Sequence, residues 1–148
     1  MKKRLSPTQK AYLAGFLDGD GSIYVRLKPN ATYKYGFQVA PYIVLFQSQK
    51  DRKNFEKVCS LIALGHIRER KDGILEYIIS RHDAITLFLE IVRPYALLKK
   101  KQIELMTKIL TEKAKVKNAK QFASLMRLVN SFRELNYSKK RKIHTLTP

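Results

Sequence analysis

Residues 13 to 28, LAGFLDGDGSIYVRLK, contain a change of periodicity that restricts the fold of the whole chain. Ser6, followed by proline and by glutamine three residues on, predicts a capped helix before this stretch. We expect the helix to end at the glycines around Asp18 and Asp20, which supply the backbone freedom that helix ends use. From Ser22 the residues alternate with period two, which predicts a half-buried antiparallel strand. Its two faces carry Ile23, Val25 and Leu27 on one side, and Tyr24, Arg26 and Lys28 on the other.

The rest of the chain repeats a helix followed by a strand pair. A second strand is predicted over FQVAPYIVLFQSQ, where Pro41 implies an edge position or a bulge. Helical spacing over 51–63 is followed by a second hairpin, GHIRER and ILEYIIS. A helix from Ser80 to Pro94 and two more, over about 96–113 and 119–135, complete the chain. We therefore predict an α+β fold with a four-stranded antiparallel sheet and helices on one face, as a single domain over 1–148.

The charge of the chain favours a nucleic-acid partner. Lys and Arg number 30 against 12 Asp and Glu, a formal net charge of +18. Residues 93–148 hold 15 basic and only 3 acidic side chains, which predicts a sequence-independent grip on phosphate there. An anionic membrane surface is the competing partner, but no segment reaches the roughly 18 apolar residues of a spanning helix. The basic start MKKRLSPTQK is too short, before the predicted helix, to be a signal peptide.

Asp18 and Asp20 are unexpected in a chain that binds a polyanion. Aspartates beside glycines are common in turns, where they are merely solvated. A calcium loop is excluded by spacing, because its sixth position would be Ile23 rather than Gly and its twelfth Pro29 rather than Glu. A third interpretation is a divalent metal site, since a hard cation that bridges carboxylate and phosphate removes the repulsion.

LAGFLDGDG matches six of the nine positions of the LAGLIDADG signature, and DGDGSIYVRLKPN, RPYALLKKKQ and LNYSKKRK resemble the same group. The chain resembles, over about residues 8–142, the single-motif homodimeric LAGLIDADG homing endonucleases encoded in group I introns. The resemblance implies a saddle-shaped α-β-β-α-β-β-α fold that binds double-stranded DNA. It implies site-specific cleavage of a long pseudo-palindrome with Mg²⁺, for which Mn²⁺ or Ca²⁺ substitutes in binding, and no small-molecule cofactor. It also implies that the gene lies in an organellar intron, in the chloroplast in preference to the mitochondrion. The alternatives are a splicing maturase and a non-cleaving DNA-binding protein.

The resemblance also implies roles for individual residues. Asp20 and the Gly19 carbonyl would bind the metal, whereas Asp18 would be structural. The motif helix would form the dimer interface through Tyr12, Gly15, Phe16 and Gly19. Catalysis would further use Gln49, Lys53 and Lys99, with Gln47 as the alternative glutamine and with Lys100 and Lys101 close to the chosen lysine.

DNA contacts are expected on the open face of the sheet, on the loop of the first hairpin and on the basic C-terminal segment. The first two sets are Tyr24, Arg26, Lys28, Asn30, Thr32, Tyr33, Gln38, Ala40, Tyr42, Val44, Arg68, Arg70, Glu76 and Ile78. The third set is Lys139, Lys140, Arg141 and Lys142, within a segment, 136–148, that we expect DNA to order. The arginines can pair with guanine and Glu76 can accept from cytosine, whereas the lysines of the tail would contact phosphate.

Overall fold

The computed structural model describes residues 4–136, and its element order confirms the predicted helix and hairpin alternation. The helices are α1 Pro7–Asp20, α2 Arg52–Ile62, α3 His82–Val92, α4 Lys100–Lys115 and α5 Ala119–Leu135. The strands are β1 Gly21–Pro29, β2 Phe37–Ser48, β3 His66–Glu69 and β4 Ile74–Ile79, and a 3₁₀ turn covers Gln49–Asp51. The strands form one four-stranded sheet in the order β1-β2-β4-β3, which confirms the predicted α+β class. Across residues 4–136, no helix has both the length and the apolar composition to cross a bilayer.

The chain divides into two compact units. The first unit has two segments, the residues up to Ser22 and the range Tyr42–Lys100. The second unit consists of Ile23–Pro41 and the part from Lys101 onward. The first unit therefore holds α1, the end of β2, β3, β4, α2 and α3. The second holds the outer part of the first hairpin together with α4 and α5. The predicted catalytic residues all belong to the first unit.

In the first unit, alternation along the strands separates a core face from an open face. The ladder between β2 and β4 runs from Ile43 opposite Ile79 to Ser48 opposite Ile74. β3 continues it on the other side of β4, with His66 opposite Ile78 and Glu69 opposite Leu75. The odd-numbered side chains of β2 and β4 face the core, and those buried to within a few per cent are Ile43, Leu45, Leu75, Tyr77 and Ile79. The even-numbered residues consequently form the open face of this unit.

Helix α1 begins as predicted and ends for a different reason. Ser6 caps it, with Gln9 N donating to Ser6 Oγ at 3.1 Å and Ser6 N donating to Gln9 Oε1 at 3.0 Å. The helix continues through Gly15 and Gly19 to Asp20. Its C-cap, Gly21, is extended at φ −118°, so the expected backbone freedom is not used there. Glycine is needed at this position because an added Cβ would lie 2.7–2.9 Å from atoms of Leu17.

In the second unit, two helices accompany the outer part of the first hairpin. The hairpin loop is closed by Asn30 N donating to Gly36 O at 2.8 Å, and Tyr35 of this loop stacks on Phe122 of α5 with ring centroids 4.8 Å apart. Asn118 caps α5 as predicted, because its side chain accepts from Gln121 N at 2.8 Å. Pro41 lies within β2 just before the ladder with β4, which starts at Ile43. Its missing N–H is therefore not required by that ladder.

Candidate active site and nucleic-acid interface

Asp18 binds a loop that lies about eighty residues further along the chain. Its Oδ2 accepts from the amides of Leu97 at 2.7 Å and Leu98 at 3.0 Å, and its Oδ1 accepts from the amide of Lys99 at 3.1 Å. The helix predicted from about residue 96 begins only at Lys100, because the three preceding residues form a bent loop whose amides bind this carboxylate. The contacts give Asp18 the structural position that the resemblance implied for it.

The ionised form of Asp18 is the one that this arrangement favours. Partial burial alone would raise the pKa of the carboxyl group. The amides of Leu97, Leu98 and Lys99, with the charge of Lys99, outweigh this effect, and the pKa lies below its ordinary value. Asp18 is therefore a charged anchor at neutral pH.

The same loop delivers Lys99 to the end of the motif helix. Lys99 Nζ donates to the backbone oxygen of Asp18 at 3.2 Å, and the side chain is partly buried. A cation near the C-terminus of a helix is favoured by the helix dipole and by carbonyls that lack an intrahelical partner. Lys99 thus contacts α1 at Asp18, two residues before Asp20. Lys100 and Lys101, by contrast, are exposed and already belong to α4.

Asp20 differs from Asp18 in its exposure and in its hydrogen bonds, the two properties that decide whether a carboxylate can bind a ligand. It is the last residue of α1, it is exposed, and its carboxylate has no hydrogen-bond partner within residues 4–136. The neighbouring Gly19 carbonyl also lies in the last turn, where no amide of the helix remains to donate to it. The last turn of α1 therefore carries two oxygen donors, a carboxylate and a carbonyl, of the kind that divalent cations prefer.

The open side of α1 is glycine-rich, as the dimer prediction requires. A Cβ placed on Gly15 or Gly19 would meet no atom within 4 Å, and the Tyr12 side chain is 53% exposed. Phe16 is half-buried because its ring lies against Phe55, with centroids 6.1 Å apart. The face of α1 with Tyr12, Gly15 and Gly19 can therefore be approached closely by another backbone.

The two glutamines that compete for the active-site role have different surroundings. Gln47 is half-buried at the end of β2, and its Oε1 accepts from Ser48 N at 2.9 Å. Gln49 starts the 3₁₀ turn, and its amide donates to Gly73 O at 2.9 Å. Its side chain also lies over Gly73, with Nε2 3.1 Å from where a Cβ would be. Gln49 thus contacts the turn of the second hairpin, and Lys53 is exposed in the first turn of α2.

On the open face of the first unit, polar side chains surround apolar ones. Arg68 lies opposite Glu76, and Val44 lies opposite Ile78. Arg68 and Arg70 are exposed, and Glu76, Ile78 and Tyr42 are half-buried. Val44, however, is 0% exposed, so its prediction as a DNA contact is wrong for this structure. A side chain without accessible surface cannot contact a base in the groove.

In the second unit, the predicted alternation of β1 is present. Ile23 and Val25 are buried, whereas Arg26 and Lys28 are exposed and Arg26 lies over the Tyr24 ring at 5.9 Å. The loop residues Thr32 and Tyr33 are exposed, and Asn30 and Gln38 are half-buried. Ala40 is only 8% exposed, and we correct its prediction as a DNA contact because so little of its side chain is accessible. Lys139, Lys140, Arg141 and Lys142 lie outside the described residues.

Comparisons with known proteins agree with this fold. The family model for LAGLIDADG endonucleases matches residues 13–110. DNA endonuclease I-CreI of Chlamydomonas reinhardtii is 35% identical over 132 residues, 88% of this chain and 80% of that protein. DNA endonuclease I-CvuI of Chlorella vulgaris is 28% identical over 133 residues, 90% of this chain and 83% of that protein.

Solved structures show the same fold. The crystal structure of I-CvuI with the I-CreI target and Mg superposes with a TM-score of 0.84 at 27% identity, covering 92% of this chain and 87% of that one. The archaeal intron-encoded homing endonuclease I-Vdi141I, complexed with DNA, gives a TM-score of 0.82 at 18% identity over 94% of this chain and 90% of that one, a likeness of fold alone. On the family match and the identity to I-CreI together, the chain belongs to the LAGLIDADG endonuclease family.

Proposed function

We propose that this protein is a homing endonuclease that cleaves both strands of a specific DNA site with divalent metal ions and so promotes the mobility of its intron. The observation that carries the proposal is that two aspartates of one helix end have opposite environments, one hydrogen-bonded and partly buried and the other exposed. The Asp18 carboxylate accepts from three amides, and Lys99 Nζ donates to the Asp18 backbone oxygen, whereas the exposed Asp20 carboxylate, two residues further along, has no partner within residues 4–136. A carboxylate and a lysine at one helix end suit phosphodiester chemistry.

The donors of one chain fit a metal that is shared with the substrate. No group of three or more His, Cys, Asp or Glu side chains that could hold a metal occurs within residues 4–136. Mg²⁺ is commonly bound by one or two carboxylates, with substrate phosphate and water completing its octahedron. Asp20 and the Gly19 carbonyl match this pattern. I-CvuI was crystallised on DNA with Mg and with Ca, and we propose Mg²⁺ here, with Mn²⁺ or Ca²⁺ as substitutes for binding.

Each catalytic residue has a separate task in this proposal. A bound divalent ion would polarise the scissile phosphate and offset its charge. Asp20 would hold that ion, and Lys99, fixed through the Asp18 backbone oxygen, would stabilise negative charge that develops on the phosphate or the leaving oxygen. Lys53 adds a second cation, and Gln49 or Gln47 orients the attacking water.

Because each chain carries one motif, cleavage of both DNA strands requires two chains. The proposed active species is a homodimer in which the α1 helices pack through Tyr12, Gly15, Phe16 and Gly19. Support comes from the open space at both glycines, which permits a close approach of two backbones. Such an approach would bring two Asp20 side chains near one axis. The matching target is a pseudo-palindrome whose half-sites are related by the same two-fold axis.

The DNA contacts divide into base-reading and phosphate-binding sets. We propose that Tyr24, Arg26, Lys28, Gln38, Tyr42, Arg68, Arg70, Glu76 and Ile78 face the bases, and that Asn30, Thr32 and Tyr33 extend this set from the hairpin loop. Lys139, Lys140, Arg141 and Lys142 bind phosphate. Both units serve one endonuclease domain that spans 1–148. The two green-algal relatives support an organellar intron gene, with the chloroplast as our proposed compartment.

Cleavage at an intron-insertion junction tests the function directly. The wild-type protein should cut duplex DNA across the intronless junction of its host gene in Mg²⁺, and should leave it intact in EDTA. The cutting species should sediment as a dimer on DNA. Splicing of the intron RNA is assayed in parallel with the same preparation. Splicing without cleavage would replace the proposal by a maturase, and specific binding without either activity would replace it by a DNA-binding protein.

Substitution of the two glutamines decides which one acts in catalysis. If Gln49 orients water, Gln49→Ala should slow cleavage roughly 100-fold at saturating protein while target affinity stays within about threefold. Gln47→Ala should then change cleavage far less. The opposite result would assign the role to Gln47 and leave Gln49 as a support of the Gly73 turn. Lys53→Ala and Lys50→Ala form a matched pair, and a larger rate loss for Lys50→Ala would assign the catalytic role of Lys53 to Lys50.

A further inference from the structure

Arg70, a predicted base-reading residue, is held by an acid in its own turn. Arg70 Nη2 donates to Asp72 Oδ2 at 2.6 Å, and Asp72 Oδ1 accepts from the amide of Ile74 at 3.2 Å. The turn itself is closed by Arg70 N donating to Ile74 O at 2.8 Å and Gly73 N donating to Arg70 O at 3.1 Å, with Gly73 at φ +83°. This is a three-residue hairpin loop with glycine in the left-handed position. Asp72 therefore connects the guanidinium of Arg70 to a tightly closed backbone.

The ion pair between Arg70 and Asp72 contributes more to the position of the arginine than to the stability of the fold. The side chains of Arg70 and Asp72 are 42% and 51% exposed, so their ion pair is solvated and adds little to folding stability. A carboxylate on a DNA-facing hairpin also repels phosphate, in a chain with only 12 acidic side chains against 30 basic ones. What the pair does accomplish is to restrict one long side chain before DNA arrives.

The geometry leaves Arg70 able to bind a base. Arg70 continues the ladder opposite Ile74, so alternation puts it on the face that carries Arg68 and Glu76. A guanidinium has five N–H donors in a fixed fork geometry, and guanine accepts from two of them through O6 and N7. The bond to Asp72 uses one hydrogen of Nη2, which leaves a complete pair of donors for the groove. A side chain that is already restricted loses less entropy when it binds.

We infer that Asp72 is a positioning residue for base recognition, which orients Arg70 toward a guanine in the major groove of each half-site. The inference rests on the proposed function, because it requires a specific DNA target. Asp72 does not itself contact the DNA. Its effect is therefore on the preference for one base pair and not on the chemistry of cleavage.

The test is a binding series over all single-base-pair variants of the target, in Ca²⁺ so that binding is measured apart from cleavage. The proteins are wild type, Arg70→Ala, Asp72→Asn and the double variant. Asp72→Asn keeps an oxygen acceptor for the Ile74 amide and removes the charge that holds Arg70. The matched control is Asp83→Asn, because Asp83 also pairs with an arginine two residues away, Arg81, at 2.8 Å and is 73% exposed.

Arg70→Ala should identify one position per half-site at which preference for guanine falls by about tenfold or more. Asp72→Asn should lower the preference at that same position by about three- to tenfold, and the double variant should be no less selective there than Arg70→Ala. Asp83→Asn should leave preference unchanged at every position, and melting curves should place all variants near wild type.

Three outcomes would overturn the inference while leaving the proposed function intact. The first is unchanged preference in Asp72→Asn. The second is tighter binding to all sequences with preference retained, which would make Asp72 a lock on Arg70. The third is an equal loss in Asp83→Asn, which would be a general charge effect. A wild-type protein that bound every variant equally well would instead overturn the proposed function, and Arg70→Ala would then identify no position.

Discussion

Asp20→Asn should lower the rate of DNA cleavage by about a thousandfold or more while the protein still folds and binds its target. The carboxylate is exposed and lacks a partner within residues 4–136, so its loss removes no contact from the fold. An amide in its place is a weaker ligand for a hard divalent cation, and each strand of the duplex depends on one such ligand. Cleavage is measured at saturating Mg²⁺ and protein, and binding is measured in Ca²⁺.

Glu90→Gln is the control for this variant, because Glu90 is an exposed acid on α3 outside the proposed site. It should cleave at the wild-type rate. Wild-type cleavage by Asp20→Asn would remove Asp20 from the metal site. A loss of binding in Ca²⁺ equal to the loss of cleavage would assign Asp20 to DNA affinity instead of catalysis.

Asp18→Ala should lower cleavage by about 100-fold although Asp18 contacts neither metal nor DNA in the proposal. Without its carboxylate, the amides of Leu97, Leu98 and Lys99 lose their common acceptor, and the loop no longer fixes Lys99. A displacement of about 1 Å in a catalytic group costs about that factor. Stability should fall by only about 1 kcal/mol, because Leu97 and Leu98 are exposed residues at which water can replace the carboxylate. Cleavage is measured beside thermal unfolding.

A double-mutant cycle separates this role from a general loss of stability. Lys99→Ala and the double variant with Asp18→Ala should cleave equally slowly, since both remove the same positioned cation. Asp83→Ala is the control, an exposed aspartate that should not alter cleavage. Independent and multiplying effects of Asp18→Ala and Lys99→Ala would refute the coupling between them.

The lowered pKa of Asp18 also sets the sign of a pH effect. Because the folded-state pKa lies below that of an unfolded aspartate, ionised Asp18 stabilises the fold fully above the unfolded value. This contribution disappears as the pH falls through the folded-state pKa. The difference in stability between wild type and Asp18→Ala should therefore shrink on acidification, which chemical unfolding over an acidic pH series would show.

Local patterns in the sequence determined most of the elements of this fold. Neighbouring residues alone predict the capping box at Ser6, the alternation that begins after Gly21 and the cap at Asn118. The structure has each of these features. The matched motif identified Asp20, and a charge of +18 identified the class of partner. These features were predictable because caps, strand alternation and net charge depend on residues close in the chain or on composition alone.

Burial and long-range contacts were decided only by the tertiary structure. Alternation predicted Val44 on the open face, but it did not predict that the side chain would be 0% exposed. Nothing near Asp18 in the sequence indicates that it would bind amides about eighty residues away, delay the start of the predicted helix to Lys100 and hold Lys99 at the motif. The contact of Asp72 with Arg70 likewise required the conformation of the turn. Such contacts depend on how distant segments or turn side chains meet in space, and a periodic pattern carries no information about that.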